Sequence, residues 1–186
     1  MEIGVYSRPI RSEVICGDTY VIVEKNECTL VALADGLGHG PEAAAASRAF
    51  CDLVREFSGS LPTRIFAEAS AAMAKTRGAA ASLLRLDRTS QNVVFTGVGN
   101  VEMRAVSRDP MHPICTPGIV GRRVRKIQPM SYNTHPGDLF VLFTDGISSR
   151  FSLPDFSHLP CQALVEKLLA DFGKPHDDAA CAAVRL

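Results

Sequence analysis

The sequence predicts an α+β fold, mostly antiparallel, with two groups of helices placed to cover two sheet faces. Three observations carry this. Strand-like runs rich in Val, Ile, Tyr and Phe follow one another through short turns, rather than alternating singly with helices. Two Ala-rich helical segments stand together after the first strands, and one more precedes the last strand. Two apolar runs, Leu30–Ala34 and Leu139–Thr144, break off in Asp-Gly (Asp35-Gly36 and Asp145-Gly146), as when a buried strand delivers a carboxylate to a sheet edge.

Taken in order, Glu2–Tyr6 reads as an edge strand and Arg8–Arg11 as a Pro-containing loop. Thr19–Glu24 is β-branched and aromatic, hence a strand. Asn26-Glu27 fits a two-residue hairpin turn, because Asn tolerates positive φ, and Cys28–Ala34 is the return strand. If Lys25 pairs with Cys28, then Ile22 faces Val31, Tyr20 faces Leu33, and Asp18 faces Asp35. The turn alone would set two carboxylates side by side, about 5 Å apart at Cβ. A slip of one residue would undo this.

Pro41 suits a first helical turn. Glu42–Phe57 is a helix with Ala43, Ala46, Phe50, Leu53, Val54 and Phe57 on its apolar side, ended by Gly59. A second helix is expected over Thr63–Lys75, with Thr63 as N-cap and Gly78 just past its end. Ala81–Asp87, Asn92–Val98 and Val101–Val106 read as an antiparallel meander, and Arg122–Gln128 as a further strand beyond the Pro-rich stretch 107–121. His135–Asp138 turns into the strand Leu139–Thr144. After a loop over 148–160, Cys161–Phe172 is a helix, and Ala179–Leu186 a closing strand of small residues.

The 186 residues are expected to form one domain, 1–186. Twenty basic and twenty acidic residues cancel, which argues against nucleic-acid and membrane-surface partners. No signal peptide or membrane span is expected. The cysteines at 16, 28, 51, 115, 161 and 181 form no CxxC, and several sit in apolar runs. Reduced thiols in a cytoplasmic protein are therefore expected, without a zinc site or disulfide framework.

Four acids stand at strand ends: Asp18, Asp35, Asp145 and Asp177. In an antiparallel sandwich they would meet at one rim, where several carboxylates need a counter-charge. Oxygen ligands without a Cys or His pattern select Mg²⁺ or Mn²⁺, and two such ions about 4 Å apart activate water and clamp a phosphoryl group. Asp-Gly is also a common turn dipeptide, so either copy alone is weak; the two together, with the hairpin partner and Asp177-Asp178, are stronger. There is no GxxxxGK[ST] and no GxSxG. Asp35-Gly36-Leu37 lacks the second acid of an aspartyl-nucleophile phosphatase.

Six pieces in order, Ile15–Asp18, Val31–Gly38, Arg77–Ser82, Val98–Val101, Phe143–Gly146 and Asp177-Asp178, resemble the metal-dependent type 2C serine/threonine protein phosphatases. The likeness is to the SpoIIE-like bacterial branch and its stressosome-acting members. The resemblance implies two stacked antiparallel β-sheets flanked by helices, an αββα sandwich. It implies two divalent cations, Mn²⁺ or Mg²⁺, bridged by Asp35, with the Gly36 carbonyl on one and Asp145 and Asp177 on the other. Asp18 would hold a water of the metal shell, making Asp18 and Asp35 the catalytic acids. The implied substrates are phosphoserine or phosphothreonine of STAS-domain regulators, with the stressosome scaffold foremost, in the resetting of a bacterial stress signal. An anti-anti-sigma factor as substrate, and a catalytically silent adaptor, remain as alternatives.

The chain departs from the family pattern at several points. Leu37 stands where larger type 2C enzymes carry a His, leaving His39 as a candidate acid or a solvated residue at the helix entry. Glu13 replaces a phosphate-binding Arg, for which Arg11 is the candidate substitute. Asn100 stands where many relatives have an Asp for a third ion. Arg122, Arg123, Arg125 and Lys126 form the densest basic cluster, either a solvated face or a docking surface for an acidic phosphoprotein.

Overall fold

Asn26, at φ 53°, closes the first hairpin. The computed structural model describes residues 1–186. The hairpin strands are β2 (Asp18–Lys25) and β3 (Cys28–Gly36). Lys25 pairs with Cys28, Ile22 with Val31, Tyr20 with Leu33, and Asp18 with Asp35, the register the turn predicts.

The other strands are β1 (Glu2–Arg8), β4 (Ala79–Asp87), β5 (Asn92–Val98), β6 (Glu102–Val106), β7 (Met130–Asn133), β8 (Leu139–Phe143) and β9 (Ala179–Arg185). They form two antiparallel sheets, β1-β9-β8-β6 and β2-β3-β4-β5-β7. Helices α1 (Pro41–Glu56) and α2 (Pro62–Ala72) cover the five-stranded sheet, and α3 (Cys161–Phe172) covers the four-stranded one. Alternation along the strands sorts the core into three apolar layers. Val31, Leu33, Phe95, Phe140 and Leu142 fill the space between the sheets. Val21, Leu30 and Ala32 pack under Phe50, Ile65 and Phe66 of α1 and α2. Val141, Phe143 and Cys181 pack under Leu164, Val165 and Leu168 of α3. The αββα sandwich follows.

Three expectations need correction. The third strand of the expected meander leaves its neighbours: Gly99, at φ +87°, turns the chain, and β6 pairs with β8 in the other sheet. Arg122–Gln128 is not a strand. Its apolar residues Val124 and Ile127 lie three apart and pack toward the helix-side core, and Ile119 N–H bonds back to the Arg123 carbonyl at 3.1 Å. The strand beyond the loop is instead Met130–Asn133, pairing with β5. Helix α2 starts at Pro62 after an extended Leu61, so the cap is not Thr63; proline at the first helical position sets φ in advance. Its last turn tightens to a 3₁₀ turn at Met73–Lys75. All six cysteines are free, and no helix is long and apolar enough to cross a membrane.

Candidate active site

Asp18, Tyr20 and Ile22 alternate onto the same face of the sheet as Asp35, Leu33 and Val31. Tyr20, Ile22, Val31 and Leu33 belong to the layer between the sheets. The carboxylate pair therefore continues the apolar stack to the rim, where the sheets open.

The second sheet brings its own acids to that rim. β8 and β9 run antiparallel, with Phe143 opposite Cys181, so the end of β8 and the start of β9 share an edge. Asp145 follows one strand and Asp177 precedes the other. Thr144 locks the edge: its N–H donates to the Ala180 carbonyl at 3.0 Å, and its Oγ1 accepts from Ala180 N–H at 2.9 Å. The Thr144 hydroxyl also donates to the Ala180 carbonyl, at 3.3 Å. Asn100, in the turn before β6, donates from Nδ2 to Asp145 Oδ2 at 2.7 Å. An aspartate there would set a like charge against Asp145.

The glycine after each acid has a packing reason. A Cβ on Gly36 would collide with the Ala43 carbonyl of α1, and one on Gly146 with the Asp178 carbonyl. Each strand end thus lies against another stretch of backbone. Gly36 N–H donates to the Gly17 carbonyl at 3.2 Å and Leu37 N–H to the Gly78 carbonyl at 3.0 Å, fixing the peptide units around Asp35. Gly38 and Gly40, at φ +88° and +75°, carry the chain into α1.

Two anchors hold this edge: Arg8, which carries no signal in the sequence, and Asp178, which stands out there only as part of Asp177-Asp178. Arg8, at the end of β1, donates from Nη2 to the Lys174 carbonyl at 2.7 Å and from Nη1 to the Asp177 carbonyl at 3.4 Å. Asp178, which is buried, accepts from Ile10 N–H at 2.8 Å. Together they tie the segment bearing Asp177 to the loop leading to Asp18.

The rim opens into a cleft of about 690 Å³ lined by Asp35, Asp145, Asp177, Asn100, His39 and His176, with Leu37 and Gly38 at its side. Asp18 lies behind Asp35, 4% exposed. His39 donates from Nδ1 to Glu13 Oε1 at 3.0 Å, at the exposed entry to α1. His176 was passed over in the sequence; its position next to Asp177 was the signal. Arg11 is exposed and does not line the cleft, although its neighbour Ile10 does.

The electrostatics call for cations. Burial first, then the charge of Asp35, pushes Asp18 far above the ordinary carboxylate range. Burial, then Asp145 and Asp177, raises Asp35 as well, and Asp177 is raised by burial and by Asp145. Asp18 Oδ2 and Asp178 Oδ2 are buried and without a hydrogen-bond partner, a costly state for a carboxylate oxygen without a counter-charge. No three acid, thiol or imidazole side chains close on one point. This spacing suits a hard cation that keeps several waters and takes one or two carboxylates. The donor set therefore fits hydrated Mg²⁺ or Mn²⁺.

Comparison with known proteins agrees with this geometry. The family model described as Stage II sporulation protein E (SpoIIE) matches residues 25–186. The chain is 29% identical over 167 residues to the phosphoserine phosphatase RsbX of Bacillus subtilis (strain 168), covering 88% of this chain and 82% of that protein. A chain solved in work on the bacterial stressosome, as a modular system adapted to control secondary messenger signalling, is similar at TM-score 0.95 and 30% identity, over 99% of this chain and 98% of that one. RsbX in complex with magnesium has the same fold, at TM-score 0.86 and 24% identity, over 96% of this chain and 92% of that one. With its acids gathered at one rim of an αββα sandwich and its family matched over most of its length, the chain belongs to the SpoIIE family, protein phosphatases of the metal-dependent type 2C fold.

Proposed function

We propose that this chain removes phosphate from phosphoserine or phosphothreonine in STAS-domain proteins of a stressosome, using two divalent cations, Mn²⁺ or Mg²⁺. The single observation that carries the chemistry is the register that sets Asp18 opposite Asp35 where Asp145 and Asp177 also arrive. The substrate class is supported by the likeness to RsbX and to the stressosome-derived chain.

Asp35, Asp145, Asp177 and the Gly36 carbonyl would hold the ions, with Asp18 behind them as acceptor for a water of their shell. When bound, a pair of such ions lowers the pKa of water and stabilises charge on a transferring phosphoryl group. The protein's own part is to fix the donors in advance. The Gly17 and Gly78 carbonyls hold the backbone beside Asp35, Asn100 orients the Asp145 carboxylate, and Arg8 holds the segment bearing Asp177. Asp18, buried opposite Asp35, would accept a hydrogen bond from a water of that shell. His39 and His176 stand on the cleft wall.

The test is phosphate release from a phosphorylated stressosome STAS scaffold and from a phosphorylated single-domain STAS anti-anti-sigma factor, with Mn²⁺ or Mg²⁺ supplied. Faster release from the scaffold is expected. Preference for the anti-anti-sigma factor would reassign the substrate, and release from neither would point to a silent adaptor.

A further inference from the structure

We propose that the basic segment Arg122–Lys126 docks the acidic stretch flanking a phosphorylated residue, holding a protein substrate beside the cleft. This rests on the protein phosphatase reading above. The segment continues directly from the cleft wall, which contains Gly118 and Ile119. Its path is fixed. Arg122 N–H donates to the Ile119 carbonyl at 3.0 Å, Ile119 N–H to the Arg123 carbonyl at 3.1 Å, and Gly118 bridges to Val124. The Arg122 guanidinium fastens it to the body, donating from Nη2 to the Thr76 carbonyl at 2.7 Å and from Nε to the Arg77 carbonyl at 3.4 Å.

Val124 and Ile127 turn inward onto the core, which leaves Arg122, Arg123, Arg125 and Lys126 exposed on a held backbone. None of the four takes part in an ion pair, whereas the exposed Arg55, Arg64, Arg77 and Arg88 each have an acid partner. Because the whole chain is neutral, this is a local positive excess, set against a cleft floored with acids. The phosphoryl group carries roughly two negative charges into the cleft, and the segment supplies an attractive field for further negative charge on the residues flanking it. The occupant is an acidic polypeptide rather than a nucleic acid, because the excess is confined to one short segment at the mouth of a site built for single phosphoryl groups. Extended substrate residues advance about 3.3 Å each, so positions a few residues from the phosphoserine reach the segment.

The experiment uses two synthetic phosphoserine peptides, one flanked by Asp and Glu and the other by Asn and Gln. p-Nitrophenyl phosphate serves as the substrate without flanks. Wild type is expected to hydrolyse the acidic peptide with kcat/KM at least about tenfold higher at low ionic strength. High salt should erase the preference, as should the triple variant R123E/R125E/K126E, which should leave p-nitrophenyl phosphate hydrolysis unchanged. Equal rates on the two peptides, a preference that survives in the variant, or a parallel loss on p-nitrophenyl phosphate would each overturn the proposal. If wild type hydrolyses none of the three, the phosphatase reading fails by itself. Fluorescence anisotropy of the labelled acidic peptide then decides docking: tighter binding to wild type than to the variant supports it, and equal binding overturns it. Displacement of that peptide by an oligonucleotide of the same charge, as effective as by unlabelled peptide, would mark a generic polyanion site and also overturn it.

Discussion

Asp18 stands directly opposite Asp35 across β2 and β3, and both point into the space between the sheets. Like charges facing each other destabilise a sheet, and here burial adds to the cost. The fold tolerates the pair because the strands are held elsewhere: by the Asn26 turn at one end, by inter-sheet packing along their length, and by the Gly36–Gly17 hydrogen bond at the rim.

Stability without metal should therefore depend on pH in a defined direction. Asp35 is raised to about 7 and Asp18 to about 9, from 3.8. Between about pH 4 and pH 9 the folded state holds more protons than the unfolded one, so stability falls as pH rises. In chelator-treated protein, Tm is expected to drop steadily across this range, and Asp18→Asn should flatten the slope. Added Mn²⁺ should raise Tm more at high pH, because it takes the ionised form. A Tm that climbs with pH in chelator would contradict the assignment.

Arg8→Met should weaken the metal site while leaving the fold intact. It removes the two guanidinium bonds to the Lys174 and Asp177 carbonyls, leaving the segment bearing Asp177 looser. The Mn²⁺ concentration for half-maximal activity is expected to rise about tenfold, in line with the loss of an outer partner of a metal ligand. The rate at saturating Mn²⁺ should largely recover, and Arg8→Lys should restore part of the affinity. An unchanged metal requirement would remove Arg8 from the site.

Gly36→Ala and Gly146→Ala test whether these glycines are required by packing. Each new methyl would meet a backbone carbonyl, of Ala43 or of Asp178, that cannot swing aside. A loss of about 1–3 kcal/mol is expected, read as a lower urea midpoint in metal-free protein. Gly137→Ala is the control, since a Cβ there meets nothing within 4 Å; its φ of +90° makes any loss a matter of backbone strain alone.

What the sequence made legible was local. A two-residue turn at Asn26 and strict alternation were enough to place Asp18 against Asp35, because register propagates along a hairpin without further information. The rim followed from strand ends in antiparallel order. What stayed hidden depended on contacts distant in sequence. β6 changes sheets at Gly99, and nothing in the composition of Val101–Val106 marks its partner as β8. Arg122–Gln128 has strand-like residues, but its apolar spacing answers to a core already formed by the helices and β3. Arg8 and Asp178 act through bonds spanning 166, 169 and 168 residues. Asn100 looked like an absent acid, and its bond to Asp145 gives it a positive role.

The most direct measurement is hydrolysis of p-nitrophenyl phosphate with Mn²⁺, with and without chelator, by wild type and Asp35→Asn. Wild-type activity is expected to vanish on chelation. The variant should fold, yet lose more than about a hundredfold in rate, beyond the cost of an outer partner. Activity that survives chelation, or a folded Asp35→Asn protein that hydrolyses the ester at close to the wild-type rate, would contradict a metal-dependent phosphatase centred on Asp35.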